Sequence, residues 1–412
     1  MTEPFDPLRP PSASLPPPPP SGDDLDQSGP ADKPGGGSRW LSGAGAVVVV
    51  LLMLAGLLAL LDNVEQGSGA PAGADDRPTS DSPDDQAEPA QPFEFPFNDP
   101  GRDGRGSFGQ EFRPSSIAVG AGSVWVSDFS CGVVVKIDPE RLAVDSAIRL
   151  GGSASGVSVA DGSVWVGNRM VGQVTRLDPT TLRVQATVPV PGLALGLAAG
   201  DGAVWAVDPI GGAVHRLDPA TNAVVDTIGV GMVPHHVMVA DGAAWVTNNA
   251  DDTVSRIDTN GEAAPAIELA VGPAPLHVAT ADGSAWVTNS GDGTVSRLDG
   301  VTGQAEATID VGLAPHALAV AAGSVWVGTE VGQLWRIDPA SNQAERVPEA
   351  DFDSIDMAVD GSEVWVADAD AGEVVRFDAS IGRVGGRVDL SEYGDCQTFR
   401  NRAVEPPITE TA

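Results

Sequence analysis

Cysteine, lysine and basic charge are scarce in this chain of 412 residues. Its two cysteines, Cys131 and Cys396, are too few for a disulfide-rich scaffold or a four-cysteine zinc site. The formal net charge of −34 repels phosphates, which excludes a nucleic-acid partner. The sequence contains no Gly-x-Ser-x-Gly elbow, phosphate-binding loop or dinucleotide fingerprint. Several common enzyme classes are therefore excluded.

Glycine and proline are abundant instead, with 50 and 34 residues. That composition is typical of a turn-dense all-β protein with disordered tails. Residues 1–39 are polar and proline-rich, with a run of five prolines from Pro16 to Pro20. Such a segment cannot bury a core, so it is predicted to be a disordered cytoplasmic tail.

Residues 40–61 contain no charged side chain. As a helix they would span roughly 33 Å, enough to cross a bilayer, and the run is too long for a typical signal peptide. Lys33 and Arg39 precede the run, and Asp62 follows it. The positive-inside rule then places the N-terminus in the cytoplasm and the remainder outside. A cleaved signal peptide is the alternative.

Two segments connect this helix to the remainder of the chain. Residues 62–92 are acidic and rich in small polar residues, and they are predicted to form a disordered stalk. Residues 93–113 contain Phe93, Phe95 and Phe97 in alternation, which indicates an extended segment that docks on the following domain. Residues 396–412 are predicted to be a C-terminal tail.

Residues 114–395 repeat with a period near 40. Seven tryptophans mark the period: Trp125, Trp165, Trp205, Trp245, Trp286, Trp326 and Trp365. A basic residue follows each of them: Lys136, Arg176, Arg216, Arg256, Arg297, Arg336 and Arg376. An aspartate follows in turn: Asp138, Asp178, Asp218, Asp258, Asp299, Asp338 and Asp378. Asp-Gly pairs at 161, 201, 241, 282 and 360 are typical of tight hairpin turns.

Each copy therefore codes four short antiparallel strands, and the fold class is predicted to be an all-β, seven-bladed β-propeller. The tryptophans are expected to pack between blades, and the basic and aspartate columns to be structural. A catalytic residue has no reason to recur in every blade.

The repeats resemble the YVTN type of bacterial β-propeller. Ala-Trp-Val-Thr-Asn-Asn at 244–249, Ala-Trp-Val-Thr-Asn-Ser at 285–290, Thr-Val-Ser-Arg-Ile-Asp at 253–258 and Thr-Ile-Asp-Val-Gly at 308–312 carry the resemblance. It implies the fold, but such propellers serve as surface-layer proteins, sensor domains and binding platforms.

The repeats are also similar to those of virginiamycin B lyases, propeller enzymes that open streptogramin antibiotics with a bound magnesium. That pattern needs a histidine and, one blade later, Glu-x-His. His236 and His277 match, but Pro275 stands at the place of the glutamate, so the acid–base machinery is incomplete.

Four of the five histidines begin predicted innermost strands in one arc of the ring: His235, His236, His277 and His316. Because side chains alternate along a strand, we expect either His235 or His316 to face His277. Such imidazoles could hold a divalent metal or bind an anionic ligand, and the alternative is a structural strand-start turn. The fifth, His215, occupies a variable column and is predicted to lie at the surface without a role.

Cys131 and Cys396 are predicted to form a disulfide. Cys131 falls in a loop of blade one and Cys396 after the last strand of blade seven, which is its neighbour in a closed ring. An extracytoplasmic compartment permits the pairing.

Together these features predict a single-pass membrane protein whose extracytoplasmic propeller binds an unknown protein or small molecule. The favoured interpretation is a non-enzymatic binding or scaffold module at the cell surface. An enzyme of the streptogramin-lyase or lactonase kind using the histidines, and a purely structural surface protein, are the alternatives.

Overall fold

The computed structural model describes residues 112–260, 265–348 and 350–394. The predicted cytoplasmic tail, transmembrane helix, stalk and C-terminal tail, and most of the docking segment, lie outside these residues. Among the residues described, no helix is both long and apolar enough to span a membrane.

Seven four-stranded antiparallel sheets form the seven blades of a β-propeller. Blade one contains β1 (Pro114–Gly120), β2 (Ser123–Asp128), β3 (Val133–Asp138) and β4 (Ala143–Arg149). Blade two contains β5 (Ala154–Ala160), β6 (Ser163–Asn168), β7 (Gln173–Leu177) and β8 (Val184–Pro189). Blade three contains β9 (Leu197–Gly200), β10 (Ala203–Asp208), β11 (Ala213–Asp218) and β12 (Ala223–Gly229). Blade four contains β13 (Pro234–Ala240), β14 (Ala243–Asn248), β15 (Thr253–Asp258) and β16 (Ile267–Ala270).

The remaining three blades follow the same order. Blade five contains β17 (Pro275–Ala281), β18 (Ser284–Asn289), β19 (Thr294–Asp299) and β20 (Ala305–Asp310). Blade six contains β21 (Pro315–Ala321), β22 (Ser324–Thr329), β23 (Leu334–Asp338) and β24 (Gln343–Val347). Blade seven contains β25 (Ser354–Asp360), β26 (Glu363–Asp368), β27 (Glu373–Asp378) and β28 (Arg383–Asp389), followed by a short 3-10 helix, Ser391–Tyr393.

The ring closes by packing, because each blade is one consecutive stretch of chain and no strand is exchanged between blades one and seven. The first strands of the two blades, β1 and β25, pack against each other. Trp365 of blade seven joins Ile117 and Val126 of blade one in a single apolar cluster.

The tryptophan column packs between blades, as predicted. All seven indole rings are buried. Trp125 lies in a cluster with Val157 and Val164 of the next blade, and Trp245 lies with Val278 and Leu298 in the same way. Each ring therefore buries apolar surface that one blade alone would leave exposed to water.

The basic column covers these rings. In every blade the lysine or arginine head lies 4.8 to 6.0 Å from the tryptophan ring centroid, which is cation–π range. Several also bond the next blade: Arg176 donates to the Pro219 carbonyl and the Asn222 side chain. The aspartate column accepts loop N–H bonds, as Asp138 does from Glu140 and Arg141. Both columns are structural.

Most of the predicted Asp-Gly turns are correct. Asp161, Asp201, Asp241 and Asp282 all have φ near 50°, and each is followed by a glycine with positive φ. The prediction at 360 is wrong, because Asp360 is the last residue of β25 and pairs with Glu363. The turn there is Gly361-Ser362, and Gly361 alone takes the left-handed conformation, with φ 63°.

Cys131 lies in the β2–β3 loop of blade one, as predicted, and is 1% exposed. Its Sγ atom is 3.1 Å from the carbonyl oxygen of Gly394, two residues before Cys396 in the sequence. Cys396 itself lies outside the described residues, so the disulfide stays a prediction.

Candidate functional site

Four histidines lie at the start of the innermost strands of blades four to six, and we call them the channel histidines. The starts of the innermost strands surround one opening of the central channel, which we call the channel mouth. His235 and His236 lie in β13, His277 in β17 and His316 in β21. All four line a central cavity of about 730 Å³. The structure therefore brings together every histidine that the sequence placed in this arc.

His277 is the centre of the group, as the sequence indicated. Its ring centroid lies 4.3 Å from that of His236, 5.2 Å from that of His316 and 6.1 Å from that of His235. His316 lies edge-on to His277, which is one of the two expected pairings. The stacking of His236 was not expected: this ring, at the same repeat position, is nearer and lies on His277 with an interplanar angle of 17°. Irregular register between Pro234 and Val237, and between Pro275 and Val278, breaks strict alternation at these strand starts.

Threonines of the second strands fix the backbone of this arc. The His236 N–H donates to Thr247 Oγ1, and the His277 N–H donates to Thr288 Oγ1, at 3.1 and 3.0 Å. Each hydroxyl in turn donates to the next blade: Thr247 to the Leu276 carbonyl and Thr288 to that of His316. Both threonines belong to the Trp-Val-Thr-Asn motif, so this repeat motif positions the histidines.

A carboxylate completes the arc, and the sequence analysis missed it. Asp356, in β25, is 9% exposed, and its Oδ1 lies 3.8 Å from His277 Nδ1. Its Oδ2 accepts bonds from Ser116 Oγ at 2.8 Å and from the Ile117 N–H at 3.0 Å. Like His236 and His277, Asp356 stands nine residues before the tryptophan of its blade, a signal that could have found it.

Burial controls the ionisation of these groups. It lowers the pKa of His236 and of His316 to about 3, assisted by the neighbouring imidazoles. It also lowers the pKa of His235 and His277. Burial raises the pKa of Asp356 to about 6, opposed by its hydrogen bonds from Ile117 and Ser116. At neutral pH the site therefore holds neutral imidazoles beside one carboxylate.

Two of these imidazoles have a ring nitrogen that makes no hydrogen bond with the described residues. These are the Nδ1 atoms of His235 and His316, and both are buried. A buried polar atom without a partner is costly. Because both rings line the cavity, a species bound there could supply the missing partners.

Three groups of the arc could share one metal ion. One donor atom each from His236, His277 and Asp356 lies within 4.8 Å of the others. The magnesium suggested by the lyase resemblance fits this set poorly, because Mg²⁺ prefers carboxylates and water to imidazole.

The surface prediction for His215 is wrong. Its side chain is 1% exposed in β11, with its ring nitrogens 3.0 Å from Thr227 Oγ1 and 2.7 Å from the Pro191 carbonyl. Its repeat column varies between blades because it faces local packing that differs, not because it faces water.

Solved propellers share this fold. Virginiamycin B lyase from Staphylococcus aureus is 17% identical, with a TM-score of 0.55 over 63% of this chain and 92% of that chain. A functionally unknown protein from Desulfotomaculum acetoxidans is 14% identical, with a TM-score of 0.57 over 66% of this chain and 96% of that chain. No protein-family model and no curated protein matches the chain. The chain thus has the fold of seven-bladed propellers similar to virginiamycin B lyase, and these identities establish the fold alone.

Proposed function

We propose that this protein is a membrane-anchored, extracytoplasmic binding module whose ligand site is the channel mouth at blades four to seven. One observation carries the binding site: the Nδ1 atoms of His235 and His316, beside His277 and Asp356, have no hydrogen-bond partner among the described residues. A species bound in the channel could supply those partners.

The asymmetry of the ring supports a site at this place. The equivalent positions in blades one to three hold serine, leucine and glycine: Ser115, Ser116, Ser155, Gly156, Leu195 and Gly196. A packing motif would recur in every blade, as the tryptophans do. The histidines do not recur, which is typical of a binding site.

Apolar loop residues at the same end of the blades could enlarge the binding surface. These side chains are large and exposed: Phe129, Met170, Val171, Ile210, Met232, Leu313 and Val331. They lie in the β2–β3, β6–β7, β10–β11, β12–β13, β20–β21 and β22–β23 loops. Such a rim suits a ligand or protein with an apolar part.

The binding proposal is tested by retention. The full chain is purified from membranes in detergent, and bound organic species are extracted and identified by mass spectrometry. We expect a species that is retained by the wild type and by His215→Gln but lost from His277→Gln. If all three proteins retain the same species, or none retains any, binding at the channel mouth is contradicted.

The location is tested by protease treatment of intact cells. Tethering predicts that protease removes residues 93–412 while the N-terminal tail stays protected. Protection of the propeller in intact cells would contradict the extracytoplasmic assignment. Non-reduced peptide mapping adds an independent test, because a Cys131–Cys396 disulfide requires an oxidising compartment.

The lyase-like or lactonase-like enzyme is a second candidate, favoured by the proximity of His277 to Asp356. Although Pro275 cannot transfer a proton, Asp356 supplies a carboxylate from a different blade, 3.8 Å from His277 Nδ1. A structural neighbour is a virginiamycin B lyase with quinupristin, which gives a substrate to test. Ring opening of quinupristin by the wild type but not by Asp356→Asn would favour the enzyme.

A further inference from the structure

We propose that His236, His277 and Asp356 bind one divalent transition-metal ion, such as Zn²⁺ or Co²⁺, with an open coordination position toward the channel. The inference rests on the proposed function, a binding site at the channel mouth, and identifies a metal ion as one species that this site binds.

The geometry supports this assignment. The three side chains come from β13, β17 and β25, and one donor atom of each lies within 4.8 Å of the other two. Metal–ligand bonds to nitrogen and oxygen of about 2.0–2.2 Å need the donors closer together, by shifts of roughly 1 Å. The cavity beside the rings leaves room for such shifts.

The donor chemistry selects the class of ion. Two imidazoles and one carboxylate suit zinc, cobalt, nickel or iron(II), whereas magnesium and calcium prefer oxygen ligands.

Among the described residues, the Asp356 carboxylate has no lysine or arginine partner. The hydrogen bonds that these residues donate to it come from neutral groups: Ser116 Oγ and the N–H groups of Ile117 and Met357. A buried charge needs a counter-charge, and a divalent ion would supply one.

The unpartnered nitrogens fit a second layer around the ion. The rings of His235 and His316 lie 6.1 and 5.2 Å from that of His277, measured between centroids. Three protein ligands leave at least one position for water in a four-coordinate site. Water at that position could supply the hydrogen-bond partners that the Nδ1 atoms of His235 and His316 lack among the described residues.

The experiment is a Co²⁺ titration of the full chain in detergent, after removal of metal with a chelator and without a histidine tag. Visible absorption reports the cobalt coordination, and Zn²⁺ competition reports the affinity. We expect one ion per chain. His236→Gln, His277→Gln and Asp356→Asn should each weaken binding by about 100-fold or more, since loss of an outer partner alone costs 10–100-fold.

His215→Gln is the matched control, because it alters a buried histidine 3.8 Å from a carboxylate, that of Asp208. Its affinity should stay within about twofold of the wild type, since neither residue belongs to the three-residue donor group. Where a variant fails to fold, electron paramagnetic resonance of Cu²⁺ bound to the wild type decides, and two imidazole nitrogens are expected on the ion.

A folded wild type that binds neither Co²⁺ nor Zn²⁺, or a Cu²⁺ spectrum with no nitrogen ligand, would overturn the metal site. Unchanged binding in folded His277→Gln would overturn it as well, because the ion would then sit elsewhere. Retention of an organic species that depends on His277 and needs no metal would contradict the metal site. The proposed binding function would still stand.

Discussion

Two buried histidine–aspartate pairs in this propeller have the same separation but opposite surroundings. His215 Nε2 lies 3.8 Å from Asp208 Oδ2, and His277 Nδ1 lies 3.8 Å from Asp356 Oδ1. Both nitrogens of His215 have hydrogen-bond partners within the fold. The ring of His277 makes no hydrogen bond with the described residues; it faces the cavity among three other imidazoles. The two pairs therefore do not differ in separation or burial; they differ in the hydrogen bonds of the imidazole and in its contact with the cavity.

The largest expected effect is on the free energy of unfolding, which should respond differently to the loss of the histidine in the two pairs. His215→Ala removes two hydrogen bonds and leaves a small cavity, so we expect a loss of about 2–4 kcal/mol in the free energy of unfolding. His277→Ala should cost less than half of that, because its ring borders an open cavity. Urea denaturation followed by tryptophan fluorescence measures both. Equal losses would mean that His277 is structural, and the comparison would fail.

A smaller effect concerns pH. Burial holds the pKa of His316 at about 3, against 6.5 for a free imidazole. Between these values the unfolded chain binds a proton that the folded chain does not. Stability contributed by this ring is therefore lost as the pH falls from about 6.5 toward 3. The slope is at most about 1.4 kcal/mol per pH unit, and less here because the ring is partly exposed to the channel.

Two carboxylates at the channel mouth change the pH dependence of stability in the direction opposite to that of His316. The pKa of Asp356 is raised to about 6, and that of Asp353 to about 7, so the folded chain takes up their protons first. Acidification from pH 7 to 4 therefore favours the folded state through these groups. The contribution of His316 is obtained by comparing His316→Gln with the wild type. The free energy of unfolding of the variant should fall less steeply between pH 6.5 and 4. An unchanged dependence of stability on pH would contradict a neutral His316 ring in the folded state.

The fold was predictable because its determinants repeat. Packing between blades needs the same large ring at the same place in every copy, so Trp125 and its six equivalents revealed the number of blades. The turn at 360 was mispredicted because its Asp-Gly pair is displaced by one residue: Asp360 stands five residues before Trp365, whereas Asp161 stands four before Trp165. Local Asp-Gly chemistry does not reveal such a shift, but the pairing of Asp360 with Glu363 does.

The site was predictable only in part, because it depends on departures from the repeat. Sequence position gathered the histidines into one arc, but the irregular strand starts decided which rings stack. Asp356 was missed because blade seven has a carboxylate, not an imidazole, at the repeat position of His236 and His277. The burial of His215 was missed because a variable column was equated with exposure. Its partners Thr227 and Pro191 come from outside its own strand, and no repeat pattern reveals them.

The smallest expected effect tests how each aspartate is held. Asp208 accepts bonds from the backbone N–H groups of Leu193 and Ile210, whereas Asp356 also accepts one from the Ser116 hydroxyl. Ser116→Ala removes one of the three hydrogen bonds that orient the Asp356 carboxylate and leaves those from the Ile117 and Met357 N–H groups. We expect about a tenfold loss of Co²⁺ affinity, typical of removing an outer-shell hydrogen bond.

Ser115→Ala is the matched control for this variant. The Ser115 hydroxyl, a single donor, lies 3.0 to 3.1 Å from the Ser127, Ala154 and Ser155 carbonyl oxygens, and no bond joins it to the Asp356 carboxylate. It should lower stability by about 1 kcal/mol while leaving Co²⁺ affinity unchanged. If the two serine variants lose affinity equally, the loss reflects a general loosening of blade one, and Ser116 does not position Asp356. If only Ser116→Ala loses affinity, the carboxylate from blade seven is held in place by blade one, across the seam where the ring closes.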